Sequence, residues 1–224
     1  MVILTRVVTM VLVALVSAAS LAPAEGGDES LLYEAAAAGD VRQVKRLLAA
    51  GAKVDMRDSA RRTPLLLATH ANHVEVARLL IEAGADVNAK DTIQDTPFLY
   101  AGAEGRNEIL RHILTTGKAN LKDTNRYGGV ALIPAAHHGH AETVRILLET
   151  GIDVNHVNKL GWTALMETVI LGDGGPVYQE IARLLIGAGA TQIPDRDGTT
   201  PLQHARSKGY EKIAAIIAAG THDG

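Results

Sequence analysis

The chain has 224 residues, of which 21% are charged and 3% aromatic, and its formal net charge is −3. A mildly acidic chain without a Lys/Arg cluster offers no electrostatic footprint for nucleic acid or anionic lipid. It has no cysteine, which excludes disulfides, thiolate catalysis and cysteine metal sites.

The first 24 residues differ from the rest. Arg6 is followed by an uncharged stretch from Val7 to Val16, then by small residues ending in Ala22-Pro23-Ala24. This pattern predicts a signal peptide over 1–24, cleaved before Glu25, because the apolar core is too short to span a bilayer. The expected product is exported: periplasmic in a Gram-negative cell, secreted otherwise, and free of the membrane once the signal is removed.

From residue 25 on, one short string keeps returning. Ser30-Leu31-Leu32 is followed by Thr63-Pro64-Leu65, Thr96-Pro97-Phe98, Val130-Ala131-Leu132, Thr163-Ala164-Leu165 and Thr200-Pro201-Leu202, at spacings of 33, 33, 34, 33 and 37. Thr caps a helix N-terminus, and Pro suits the first helical position, where its missing N–H costs nothing. Each string therefore starts a first helix, which breaks at Gly39, Asn72, Gly105, Gly139, Gly172 or Gly209. A second helix follows, with Val74, Val76, Ala77, Leu79, Leu80 and Ile81 on its apolar side and Glu75, Arg78 and Glu82 toward solvent. Gly51, Gly84, Gly117, Gly151 and Gly189 stop these second helices, and an extended turn leads to the next Thr.

Thr-Pro-Leu on a 33-residue period resembles the ankyrin-repeat family, in particular an exported bacterial form. The resemblance implies an all-α solenoid of six helix-turn-helix units joined by β-hairpin-like fingers. The units run approximately over 25–57, 58–90, 91–124, 125–157, 158–194 and 195–224. Arg42, Gln43, Lys45 and Arg46 at one end, and Lys208, Glu211, Lys212 and the tail Thr221 to Gly224 at the other, supply polar caps.

Three departures from the family stand out. Leu66, Leu99, Ile133, Met166 and Gln203 occupy the place where family repeats carry a turn-bonding His, so the histidines of this chain are not expected in that role. The fourth unit lacks its Thr and has Pro134 inside its first helix, which predicts a late start or a bend. In the fifth, Gly172 to Tyr178 replaces a two-residue turn, an insertion of five residues that predicts a mobile or tightly turned excursion where a partner could be met.

The search for chemistry yields little. There is no Gly-x-Ser-x-Gly, no glycine loop before Lys-Ser or Lys-Thr, and no His-Glu-x-x-His. His137, His138 and His140 are the one group that suggests a metal-dependent hydrolase. Helical neighbours diverge by about 100°, so these three are not expected to converge on one ion. No catalytic residue, cofactor or metal is predicted, and the chain reads as non-catalytic.

By resemblance to the family, a protein partner would be met by finger tips and by the exposed ends of first helices, on one concave face. In units four and five those positions hold Arg126, Tyr127, His137, His138, Leu160, Trp162, Ile170 and Leu171, a concentration of aromatic and apolar side chains suited to recognition. The expected molecule is a monomer that binds a protein partner, and an immunity or accessory role toward an exported enzyme is the alternative.

Overall fold

The computed structural model describes residues 27–220; the proposed signal segment and the tail from Thr221 lie outside the described residues. Twelve helices among the described residues pair into six antiparallel hairpins. The first helices are α1 (Gly27–Ala38), α3 (Pro64–His70), α5 (Pro97–Ala103), α7 (Leu132–His137), α9 (Ala164–Ile170) and α11 (Pro201–Ser207). The second helices are α2 (Val41–Ala49), α4 (Val74–Glu82), α6 (Asn107–Thr115), α8 (Ala141–Leu148), α10 (Pro176–Gly187) and α12 (Glu211–Gly220). First helices stack on first helices and second on second, so one continuous apolar core runs through Leu32, Leu65, Phe98, Leu132, Leu165 and Ala205. This is how short helix pairs reach stability: each lends its apolar stripe to its neighbours.

The Thr positions start the helices as their chemistry dictates. Thr63, Thr96, Thr163 and Thr200 each accept a bond from the amide three residues on, and Thr200 with Gln203 completes a reciprocal capping box. The fourth unit starts one residue late and has no side-chain cap. Its Pro134 has no N–H to give to the Val130 carbonyl, and Ile133 takes that carbonyl instead at 3.0 Å. Leu66, Leu99, Ile133 and Met166 are buried, so apolar packing fills the place of the family's turn-bonding His.

Histidines and tyrosines do tie the units together, at different positions from those of the family motif. Nε2 of His73 meets the Ala37 carbonyl at 3.1 Å, Nδ1 of His138 the Ala103 carbonyl at 2.7 Å, and Nε2 of His156 the Gly128 carbonyl at 2.8 Å. Each of these rings acts as donor, since a carbonyl can only accept. The hydroxyls of Tyr178 and Tyr210 donate to the carbonyls of His137 and Gly172.

The fifth unit's extra length divides between the loop after Ile170 and α10, which has twelve residues where α4 has nine. The loop is tightly turned. Asp173 Oδ1 accepts from the Gly175 amide at 2.7 Å, and Gln179 donates to the Gly174 carbonyl at 2.8 Å. The left-handed residue here is Gly174, not Gly172. Gly172 is required for closeness, since a Cβ there would lie 2.3 Å from the Thr168 carbonyl oxygen and 2.6 Å from the Tyr178 ring.

No strand forms among the described residues, and the fingers are bonded turns. In each, an Asp or Asn five residues before the cap position closes the turn with its side chain: Asp58, Asp91, Asn125, Asn158 and Asp195. Single backbone bonds link some neighbouring tips, as from the Thr92 amide to Ala60 and from Lys159 to Tyr127.

Candidate functional site

Between the finger tips and the first helices of units three to five lies a groove of about 560 Å³. Ile93, Asp95, Asn125, Arg126, Tyr127, Gly129, Asn158 and Leu160 form its finger side. Leu99, Tyr100, Ala103 and Glu104 of α5 and its C-cap, Ile133, Pro134, His137 and His138 of α7 and its C-cap, and Glu167 and Leu171 of α9 and its C-cap form the helix side. The groove exists because the finger turns hold their tips away from the helices, and each turn is fixed by its own Asp or Asn.

Of the eight residues singled out in the sequence, Arg126, Tyr127, His137, His138, Leu160 and Leu171 line this groove, whereas Trp162 and Ile170 do not. Trp162 is half-buried, with its backbone N–H and C=O both engaged by Asn158. The groove also reaches one unit further back than the sequence suggested, to α5 and the finger of unit three.

Its exposed apolar side chains are large. Tyr127 is 55% exposed and Leu160 49%, with Ile93 and Leu171 also open to solvent. The Arg126 guanidinium sits 4.8 Å from the centre of the Tyr127 ring, a cation–π arrangement that orders both side chains.

The floor is polar, and the sequence reading missed it. Glu167, 6% exposed, accepts a 2.8 Å bond from Asn158 Nδ2 at Oε1. Asn158 Oδ1 is already taken by the amides of Leu160 and Trp162. One side chain thus ties the finger to the helix. Burial pushes the Glu167 carboxyl up to about 7, against the smaller opposing effects of the Asn158 bond and the His138 charge. His137 Nδ1 lies 3.7 Å from Glu167 Oε2, too far for a hydrogen bond. Burial, and then the His138 charge, hold the His137 ring below its ordinary range. Asp95 is raised by burial and by the neighbouring Asp91 charge.

The three clustered histidines do not share a centre. His138 reaches back to Ala103, His137 faces Glu167, and His140 packs its ring over Gly105. Among the described residues no set of three or more His, Asp or Glu side chains is arranged to hold a metal ion.

The sequence profile described as ankyrin repeats in three copies matches residues 14–91, 32–125, 98–191 and 132–223. The chain belongs to the ankyrin-repeat family. An ankyrin repeat domain from Acinetobacter baumannii AYE is 54% identical, with a TM-score of 0.83, over 85% of this chain and 97% of that one. The ankyrin repeat domain of Bcl-3 is 28% identical, with a TM-score of 0.76, over 86% of each chain. Among curated proteins, the Escherichia coli K12 ankyrin repeat protein YahD is 45% identical over 111 residues, 48% of this chain and 55% of YahD. The chain thus spans about half of YahD and smaller shares of the other curated relatives. The human NAD-capped RNA hydrolase NUDT12 matches over 82 residues, 17% of its length, through its ankyrin portion. Ankyrin repeats are protein-interaction modules, and the relatedness is to that module.

Proposed function

We propose that this chain is a non-catalytic, exported binding protein whose groove across units three to five receives an exposed segment of a protein partner. The observation that carries the reading is the groove itself: Tyr127, Leu160, Ile93 and Leu171 stand open around it although the family's core is fully formed beneath them. Contiguous exposed apolar side chains mark interaction surfaces, and Tyr and Arg are the residue types that dominate them. A stacked array presents these side chains already ordered, so little entropy is lost on binding. Export rests on the residue pattern of 1–24. No helix among the described residues is long and apolar enough to cross a membrane.

The test is capture from the native compartment, with mass spectrometry of whatever is retained. Tyr127→Ala combined with Leu160→Asp is expected to abolish retention of a specific partner while helical content by circular dichroism stays unchanged. Retention at the level of the unaltered protein sinks the groove as the binding surface. The compartment is read independently, by N-terminal sequencing of mature protein from the exported fraction, where a start at Glu25 is expected.

A further inference from the structure

We propose that the groove floor at Glu167 receives a lysine or arginine side chain from the partner's exposed segment, an inference that rests on the groove being a protein-binding surface. Three observations lead there. First, the groove is lined by three carboxyls, Asp95, Glu104 and Glu167, against one guanidinium, that of Arg126, already placed over the Tyr127 ring. Second, Glu167 is more than nine-tenths buried yet only half used. Asn158 satisfies Oε1, while Oε2 makes no hydrogen bond and has only the His137 ring nearby, at 3.7 Å. Third, the histidine beside it does not complete an ion pair, since its surroundings favour the neutral ring.

A desolvated carboxyl with a free oxygen is costly to ionise alone and gains most from a cation that brings its own hydrogen-bond donors. A lysine ammonium or arginine guanidinium does this, and its aliphatic stem suits a groove walled by Leu99, Ile133 and Leu171. The same carboxyl disfavours an acidic side chain, which would leave two buried carboxyls facing one another. Glu167 thereby selects the partner segment, and the exposed Tyr127 and Leu160 supply contact area.

The probe is an immobilised set of otherwise randomised peptides, capped at both ends, with the central residue fixed in turn as Lys, Arg, Met, Gln or Glu. The full chain is expected to be retained roughly tenfold more by the Lys and Arg sets than by the Met or Glu sets. Glu167→Gln keeps the acceptor for Asn158 and is expected to fold normally by thermal melt, yet to lose that preference. Glu142→Gln, at an exposed position in the first turn of α8 and outside the groove lining, is expected to keep it. A Lys/Arg preference that persists in Glu167→Gln overturns the assignment. Retention that ignores the central residue but disappears in Tyr127→Ala with Leu160→Asp also overturns it, and leaves the groove reading standing. No retention by any set overturns the anchor and counts against the groove for peptide segments. Saturation by N-acetyl-lysinamide at micromolar concentration overturns it in favour of a small-molecule occupant.

Discussion

Units five and six place a polar pair in the same register, one member closing the finger and the other four residues after the helix cap. In unit five the pair is Asn158 and Glu167; in unit six it is Asp195 and His204, whose Nε2 lies 2.7 Å from Asp195 Oδ2. In unit six the finger supplies the acid and the helix the base, and the bond to His204 holds Asp195 below the ordinary carboxylate range. In unit five the finger is neutral and the acid sits on the helix, held near 7 by burial. One pair is complete within the fold, whereas the other leaves a carboxylate oxygen for something outside it. The repeat therefore dictates where a side chain stands, while the identity of its partner dictates whether the position is structural or available.

The contrast can be broken most sharply at the finger member. Asn158→Ala strands the Leu160 and Trp162 amides together with Glu167, and is expected to cost about 2–3 kcal/mol in urea denaturation. Asp195→Ala removes the equivalent turn bonds in a more solvent-accessible place and is expected to cost less. Equal losses would show that the two pairs are not different in kind.

The pH response sharpens it next. Glu167 binds its proton more tightly folded, near 7, than unfolded, near the ordinary 4.5, so between those values the folded state carries the extra proton. Its contribution to stability therefore falls as pH rises through that window and is level above it. Glu167→Gln is expected to remove a decline of about 2 kcal/mol between pH 5 and pH 8, allowing for partial solvent contact. His70, His137 and His140, whose rings are held below their ordinary range, act with the opposite sign but are common to both proteins. Asp195, being lowered, gives stability present above about 3.8 and lost below it, outside this window. The smallest expected effect is shared by the two units: Thr163→Ala and Thr200→Ala each remove a helix cap worth about 1 kcal/mol by thermal denaturation.

Most of the fold was legible because its signals are local and repeated. A Thr that caps, a Pro without an N–H and a glycine that reverses the chain each act through their own backbone, and the late start of α7 followed from Val130 and Pro134 alone. The site was legible in part. Tip and helix-end positions brought Arg126, Tyr127, His137, His138, Leu160 and Leu171 to one groove, but Trp162 and Ile170 are not among the residues that line it. Glu167 was hidden because a lone acid on a short helix reads as solvated, and its hydrogen-bond partner lies in the finger nine residues earlier. A signal did exist. The position four after each cap holds Leu67, Tyr100, Pro134, Glu167 and His204, and aligning it with the Asp or Asn five before the cap pairs Glu167 with Asn158. Likewise, Gly172 looks in sequence like a helix terminator, and only the approach of the Thr168 carbonyl and the Tyr178 ring reveals why no side chain fits there.

The uncapped, six-residue α7 bears on how the array holds together in time. In a solenoid each unit touches only its neighbours, so unfolding one internal unit costs two interfaces and leaves the flanking stacks intact. Without the Thr cap that starts α3, α5, α9 and α11, the first turn of α7, which borders the groove in mid-array, is expected to exchange its amides faster than theirs. The partner segment proposed for the groove would lie against α5, α7 and α9 at once and so brace three units together. Occupancy would be written into the rigidity of the whole rod, far from the residues it touches.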